Sequence, residues 1–377
     1  TIHLNNASST LALGANPLTV TTGLLNHDLG SLNAGSLTLN GAGGTYDGTG
    51  TGSVSLSGAL SISDGTFSLG AKTLGCGAFT QSGGSFNGNT GSITASGSVS
   101  VTAGVHTYNT YTLTLTGNGT TIRFLALSPY DLNINSPGGT VSITLSPLTV
   151  ANNLQVLDGT FSLGGQNLTV SGNITVAAND LLSATAASET VTLYGNLNFS
   201  AAGDNFTELN STFITAGANT TLNAPEETFY TLVVNKDALP TPPYTTSLSS
   251  NLTVSKELRI VQGSLAAGAN TISFQGDILD NRVVSPTPGG FDPGSGTVDF
   301  VPPTTPHTIQ VRGSTTFWNF RCYQPGGEVN FNFQEQQTQT IGGTLWLEGT
   351  TSYFIDLDAI AANPATAYTY PLAAPQP

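Results

Sequence analysis

Few residues in this sequence have the types and spacing that catalysis or metal binding requires. The four histidines share no metal-ligand spacing with one another or with a cysteine: His3, His27, His106 and His307. His106 stands in the aromatic position of a repeat described below, where a stacked side chain is the expected role. The histidines therefore predict no metal centre.

Two carboxylate pairs are close in the sequence, Asp277 with Asp280 and Asp356 with Asp358. Neither belongs to a calcium loop, because the chain has no Asp-x-Asp-x-Asp-Gly run and no glycine-and-aspartate nonapeptide of the calcium-binding β-roll type. Gly-x-Ser-x-Gly, Walker and dinucleotide motifs are also absent. We predict no catalytic residues, no cofactor-binding residues and no bound metal.

The two cysteines, Cys76 and Cys322, are far apart in the sequence. At a repeat step of about 20 residues, some twelve coils separate them, on the order of 55 Å of stacked strands. A disulfide requires Cα atoms within about 7 Å of each other. We therefore expect no internal disulfide, and we expect each cysteine to be a small buried hydrophobic residue.

The composition excludes several classes of protein. Charged residues make up 8% of the 377 residues, with a net charge of −14, against roughly a quarter in an ordinary soluble domain. Nucleic acids and anionic membranes require clustered cations, and the chain has only 8 Lys and Arg residues. No apolar run approaches the roughly 18 residues of a membrane-spanning helix. The 45 glycines and the many β-branched residues disfavour helical folds.

Alternation and repeats predict the architecture. Short period-two fragments bounded by Gly or Asn, such as Leu113-Thr114-Leu115 and Leu345-Trp346-Leu347, are typical of strands with one buried face. A glycine-containing phrase recurs about every 20 residues: 43–46, 64–67, 83–86 and 103–106, then 138–141 and 158–161. We predict an all-β fold, a parallel β-helix (β-solenoid) with about 20 residues per coil, about 18 coils, glycines of positive φ at the corners and a β-rich cap at the C-terminal end.

A longer repeat of roughly 100 residues overlies the coils. Asp158–Val170 has relatives at 64–74 and 262–274, and an aromatic precedes an apolar-x-apolar strand at 129–134, 228–234 and 316–322. Together with Pro-Gly-Gly and Gly294-Ser-Gly-Thr-Val-Asp-Phe300, this order resembles the repeats of large bacterial cell-surface and filamentous-haemagglutinin-like adhesins. The resemblance covers residues 110–355 and, more generically, 30–105. It implies a β-solenoid at a cell surface.

The domain borders follow the repeats and the proline-rich segments. We predict solenoid coils with short Gly-rich repeats over 1–110, a solenoid super-repeat over 111–240, a second with an aromatic-rich end over 241–358, and a Pro/Ala-rich tail over 359–377. The chain opens at Thr1 without a signal-like segment, which we interpret as a trimmed part of a longer precursor.

A carbohydrate-active β-helix enzyme or a glycan-binding module is the alternative hypothesis. Such an enzyme needs paired carboxylates, or carboxylates with Lys or Arg, usually on long loops that leave the coil. Charges in this chain concentrate in residues 204–282, singly or as neighbouring opposite pairs such as Lys256-Glu257, and a solvated surface explains them better than a catalytic site does. Aromatic residues concentrate between Phe317 and Phe354, which predicts a heavier core with an end cap rather than a sugar-stacking patch.

These observations favour a non-enzymatic extracellular structural protein, either the subunit of a surface filament or a stalk or adhesin segment. The near absence of Lys and the lack of Met suit an oxidising exterior. The expected partner is a second copy of the chain, bound through the terminal segments, with surface glycans as a further candidate. Nucleic acid and membrane insertion are not expected.

Overall fold

The computed structural model describes residues 1–107, 109–125, 128–186, 188–200, 205–237, 243–283, 289–303, 306–324 and 326–360. The described chain is all β with no helix, and its parallel strands stack as the coils of a β-solenoid about 22 residues apart. None of the residues described forms a helix long and apolar enough to cross a membrane. The fold class predicted from the repeats is confirmed.

The chain divides into two compact units, Thr1–Tyr230 and Thr231–Pro377, called the N-terminal and C-terminal units below. The strands of the N-terminal unit are β1 (Ile2–Leu4), β2 (Thr10–Ala12), β3 (Pro17–His27), β4 (Ser31–Ala34), β5 (Ser36–Asp47), β6 (Ser53–Leu56), β7 (Leu60–Ile62), β8 (Thr66–Ser68), β9 (Thr73–Cys76), β10 (Phe79–Asn87), β11 (Ser92–Ala95), β12 (Val99–Thr107), β13 (Thr112–Leu115), β14 (Thr120–Phe124), β15 (Asp131–Ile143), β16 (Leu148–Val150), β17 (Leu154–Ser162), β18 (Leu168–Val170), β19 (Ile174–Val176), β20 (Leu181–Ser183), β21 (Thr190–Leu193), β22 (Leu197–Phe199), β23 (Phe206–Thr207), β24 (Thr212–Thr215) and β25 (Thr220–Asn223).

Strand β26 (Thr228–Asn235) contains the border between the units. The strands of the C-terminal unit are β27 (Thr245–Leu248), β28 (Leu252–Gln262), β29 (Ser264–Ala266), β30 (Thr271–Phe274), β31 (Ile278–Asp280), β32 (Gly290–Asp292), β33 (Thr297–Phe300), β34 (His307–Arg312), β35 (Thr315–Phe317), β36 (Asn319–Tyr323), β37 (Val329–Gln334), β38 (Gln339–Ile341), β39 (Leu345–Glu348) and β40 (Ile355–Ile360). The predicted borders at 110, 240 and 358 stay predictions. Residue 240 and most of the predicted tail, 361–377, lie outside the described residues.

A column of equivalent apolar residues runs through the N-terminal unit in parallel register. Each lies opposite the next, one coil further on: Leu11, Leu32, Val54, Leu74, Ile93, Leu113, Leu132, Leu154, Ile174, Leu197 and Leu222. From Leu32 onward all of them are buried. Because inward and outward residues alternate along each strand, this register keeps one face of every coil in a continuous core.

Stacked rings form a second column of that core. Tyr46, Phe67, Phe86 and His106 are paired in register, and their ring centroids lie 4.5, 5.7 and 4.7 Å apart in nearly parallel planes. His106 is therefore a stacked core side chain, as the repeat predicts. Nδ1–H of His106 donates to Gln81 Oε1 at 2.9 Å, and Nε2 accepts from the Tyr111 hydroxyl at 2.8 Å.

In four of the recurring phrases the second residue is a glycine with positive φ. Gly65, Gly84, Gly104 and Gly159 have φ of 80°, 59°, 94° and 90°, a conformation that glycine adopts without steric cost. The predicted positive φ is confirmed, but Gly84, Gly104 and Gly159 lie within strands β10, β12 and β17, where the pairing register shifts. The two units together contain about 15 turns, so the expected count of 18 is wrong. The reason is that some coils are much longer than 20 residues: Asp280 lies opposite Arg312 on the adjacent strand.

Candidate functional site

Most cations of the chain belong to the C-terminal unit. Six of the eight Lys and Arg residues lie after the border: Lys236, Lys256, Arg259, Arg282, Arg312 and Arg321. Strands β28, β34 and β36 carry Arg259, Arg312 and Arg321 next to buried residues, and therefore on the outer face of each strand. This outer face is where a site would have to lie.

Asp280 is the centre of one charged cluster on that face. Arg282 donates two hydrogen bonds to its carboxylate, from Nε at 2.8 Å and from Nη2 at 2.5 Å. Arg312 Nη1 lies 4.0 Å from Asp280 Oδ2. Burial by itself raises the pKa of Asp280, but the hydrogen bonds and charges of the two arginines outweigh it and hold the pKa below its ordinary value. Asp280 is thus a paired anion and unsuited to act as a general base.

Asp277 forms a neighbouring cluster with Lys256 and His307. Lys256 Nζ is hydrogen-bonded to the Asp277 carboxylate. His307 Nε2 lies 3.5 Å from Asp277 Oδ1 and donates to the carbonyl of Gly276 at 3.1 Å. Both carboxylates of the pair Asp277 and Asp280 are therefore occupied by cations. The described residues hold no group of three His, Cys, Asp or Glu side chains that could bind a metal ion.

Three charged residues expected at the solvated surface are buried. Glu227 accepts the backbone N–H groups of Asn205 at 2.7 Å and Phe206 at 3.2 Å. Burial lowers the pKa of Lys236 to about 8, against the opposing charge of Asp237. Together with Asp280 they show that the predicted solvated surface is wrong at these three positions. A charged group is buried at lower cost when hydrogen-bonding or charged partners surround it. Asp204 lies outside the described residues.

The aromatic-rich segment is only partly buried. Phe317, Phe320 and Phe331 are buried, which agrees with the predicted heavier core. Phe333 is half-buried. Five others are exposed instead of buried: Trp318, Tyr323, Trp346, Tyr353 and Phe354. The alternation Leu345-Trp346-Leu347 places Trp346 on the face opposite the two leucines. The buried face predicted for this strand is wrong, because Leu345 is exposed and Leu347 is half-buried.

A surface depression of about 260 Å³ lies beside Trp346, lined by Thr297, Asn319, Phe320, Arg321, Thr344 and Trp346. The guanidinium carbon of Arg321 lies 4.9 Å from the centre of the indole ring, a cation–π contact. Burial raises the pKa of Asp299, against the charge of Arg321, whose Nε lies 3.5 Å from Asp299 Oδ1. This depression in the C-terminal unit is a candidate binding site, because an exposed aromatic ring lies beside convergent polar groups.

The remaining predicted residues are distributed over the whole fold. His3 is exposed on β1, and Asp356 and Asp358 are both exposed on β40. His27 is buried, with Nε2–H donating to the Gly30 carbonyl and Nδ1 accepting from the Tyr46 hydroxyl. Cys76 and Cys322 are free and buried, as predicted. No two of these sequence-predicted groups assemble into a catalytic arrangement.

Comparison of the chain with protein-family models, curated proteins and solved structures finds no match.

Proposed function

We propose that this chain is a non-enzymatic structural protein of the cell exterior, a β-solenoid that acts as the subunit of a surface filament or as a stalk or adhesin segment. The observation that carries the proposal is the unbroken register of the apolar column from Leu11 to Leu222. Every coil in it is paired to the next by a parallel ladder, and its inward side chain packs in one continuous core.

Such a ladder suits a mechanical role. The inter-coil hydrogen bonds point along the stacking direction, so a pull in that direction is shared by all bonds of a coil at once. Stacked coils also leave few backbone groups accessible to proteases.

The charge distribution also favours an exterior location. Of the eight Lys and Arg residues, only Lys72 and Arg123 belong to the N-terminal unit, and Lys72 is buried with its Nζ donating to the carbonyls of Asp28 and Thr51. A surface made of Ser, Thr and Asn gives trypsin-like proteases few cleavage sites. It also limits charge-driven association.

Self-association through the terminal segments is part of this proposal. An apolar pocket in the C-terminal unit, called the apolar mouth, is incompletely covered. It is lined by Phe333, Ile341, Leu345, Leu347 and Leu357, which are half-buried or exposed, whereas the corresponding inward residues of inner coils are fully buried. A second copy of the chain, adding a strand-bearing coil, would cover such a mouth. Deletion of residues 1–20 or of 356–377 should then abolish assembly, and unchanged assembly would contradict this part.

Electron microscopy of the native protein is the test of the structural role. Continuous fibres with an axial repeat close to one subunit length would support a filament subunit, and isolated elongated particles would support a stalk or adhesin segment. A polysaccharide turnover assay on the same preparation is the decisive counter-test. Product formation from any polysaccharide would overturn the non-enzymatic role.

A further inference from the structure

The depression beside Trp346 is built on three neighbouring strands of the C-terminal unit. Thr297 lies opposite Asn319, and two residues further along the same strands Asp299 lies opposite Arg321, which lies opposite Trp346. Residues two apart on a strand share one face. Thr297, Asn319 and Thr344 therefore form one polar row, and the side chains of Arg321 and Trp346 stand beside it.

The indole of Trp346 is held in place although 47% of the residue is exposed. Arg321 lies over the ring, and the indole Nε1–H donates to Glu348 Oε2 at 3.0 Å. An exposed tryptophan without partners would sample several rotamers and lose entropy on binding. Two contacts that fix the ring lower this cost for any ligand that stacks on it.

Not every hydrogen-bonding group at the depression is satisfied within the protein. Arg321 Nε and Asp299 Oδ1 lie 3.5 Å apart as an ion pair and are shielded from solvent, so the remaining capacity belongs to other groups. Asn319 Nδ2 donates to Thr297 Oγ1 at 3.3 Å, and Asn319 Oδ1 accepts the backbone N–H of Thr344 at 3.0 Å. The carboxamide is thereby oriented with one N–H left for a ligand.

We propose that this depression binds one pyranose ring of a neutral saccharide chain. The apolar face of a pyranose packs on an indole, and its hydroxyls are both donors and acceptors, which matches the hydroxyl, carboxamide and guanidinium groups that line the depression. At about 260 Å³ the depression lies below the ~300–1,000 Å³ of pockets that enclose a whole drug-sized ligand, so it suits one ring of an extended chain.

Charge selects the neutral saccharide over an acidic one. One guanidinium, that of Arg321, lines the depression, and two carboxylates lie next to it: Asp299 Oδ1 is 3.5 Å from Arg321 Nε, and Glu348 Oε2 is 3.0 Å from Trp346 Nε1. The chain as a whole carries −14. A uronate carboxylate or a nucleotide phosphate would add a third anion beside a single cation. This inference goes beyond the proposed structural role, which makes no use of the depression.

Tryptophan fluorescence tests the site, because the chain has only 2 Trp residues. The Trp318→Phe variant leaves Trp346 as the single reporter, and Trp318 does not line the depression. We titrate this variant with cellohexaose, maltohexaose and hexagalacturonate. We expect a saturable change of Trp346 fluorescence with a neutral hexasaccharide, and at least tenfold weaker binding of hexagalacturonate.

Substitutions within the depression give a second test of the site. Calorimetry measures the affinity for the hexasaccharide in proteins with and without Trp346. Trp346→Ala and Arg321→Ala should each weaken binding of the neutral hexasaccharide at least tenfold. If Trp346→Ala fails to fold by circular dichroism, Trp346→Phe keeps a stacking ring and Glu348→Gln removes only the charge that orients the indole.

Three results would overturn the proposal. One is hexagalacturonate binding as tightly as the neutral chains, and another is unchanged affinity in both the Trp346 and the Arg321 variants. The third is the absence of binding to every neutral glycan of an array that includes the two hexasaccharides. None of these results would bear on fibre formation, so the structural role is tested separately.

Discussion

The carboxamide oxygen of Asn173 accepts a hydrogen bond from the backbone N–H of Asn196, one coil further on, at 2.8 Å. The same bond recurs along the N-terminal unit. Asp131 Oδ1 accepts from Asn153 N at 3.0 Å, Asn153 Oδ1 from Asn173 N at 2.9 Å, and Asn196 Oδ1 from Thr221 N at 2.8 Å. Side chains at one corner thus form a ladder parallel to the backbone ladders.

This side-chain ladder matters because a corner interrupts the strand pairing. The backbone N–H groups of Asn153 and Asn173 lie just before a paired strand, where an unpaired donor would cost free energy. A short polar side chain from the preceding coil satisfies each of them. Corner asparagines are therefore specific parts of the fold.

Replacing Asn173 by alanine should destabilise the N-terminal unit by about 1–2 kcal/mol, because the N–H of Asn196 loses its acceptor. Urea unfolding monitored by circular dichroism measures the change. Asn173→Asp keeps an acceptor oxygen and should cost less. Asn133→Ala is the matched control, since Asn133 lies on the outer face of β15. Equal losses for Asn173→Ala and Asn133→Ala would contradict the ladder.

Gly35 marks a corner where consecutive coils approach too closely for a side chain. A Cβ at Gly35 would lie 2.1 Å from the Ala15 carbonyl oxygen, a backbone atom that cannot rotate away. Gly35→Ala should therefore cost roughly 2–4 kcal/mol of unfolding free energy. At Gly75, by contrast, a Cβ meets nothing within 4 Å, so Gly75→Ala should change stability by less than about 0.5 kcal/mol. Thermal melts of the two variants give the comparison, and similar melting temperatures would contradict it.

The sequence predicted the columns of the fold well, for a physical reason. A solenoid repeats one local environment at every coil, so the pattern that identifies one strand recurs and reinforces itself. His106 illustrates this: its place in the phrase with Tyr46, Phe67 and Phe86 was enough to assign it to the ring stack. The alternation in Leu113 and Leu132 identified buried positions in the same way.

Contacts between coils were harder to predict. They depend on the length of each coil, and the corners vary: Asn173 bonds to a residue 23 positions on, and Asn196 to one 25 positions on. A change of a few residues in the length of a coil decides which polar group lies next to a buried charge such as Glu227 or Asp280. The depression beside Trp346 depends likewise on three strands in register, β33, β36 and β39.

Both cysteine thiols should be unreactive in the folded protein. Burial raises the pKa of Cys76 and of Cys322 to about 12 each, so neither forms an appreciable amount of thiolate at pH 8. Titration with a thiol reagent such as DTNB should give no rapid reaction in buffer and two equivalents in concentrated urea. One rapidly reacting thiol in buffer would place that cysteine at an accessible surface and contradict its burial.

His106 should make the stability of the N-terminal unit fall in mild acid. Burial lowers its pKa to about 4, whereas in the unfolded chain the pKa is about 6.5. The unfolded state therefore takes up the proton first as the pH falls below 6.5. From this residue we expect a loss of about 3 kcal/mol between pH 6.5 and pH 4, with no further loss below pH 4.

The substitution His106→Phe tests this, because phenylalanine occupies the same column at Phe67 and Phe86. The variant loses the bonds to Gln81 and Tyr111 and is less stable at pH 7, but its stability should decline less steeply than that of the unmodified chain between pH 6.5 and pH 4. His27, whose pKa burial also lowers, remains in both proteins and cancels from the difference. His3→Gln, at an exposed position, is the control. Parallel pH profiles for the unmodified chain and His106→Phe, measured by urea unfolding, would show that the buried imidazole does not control the acid response.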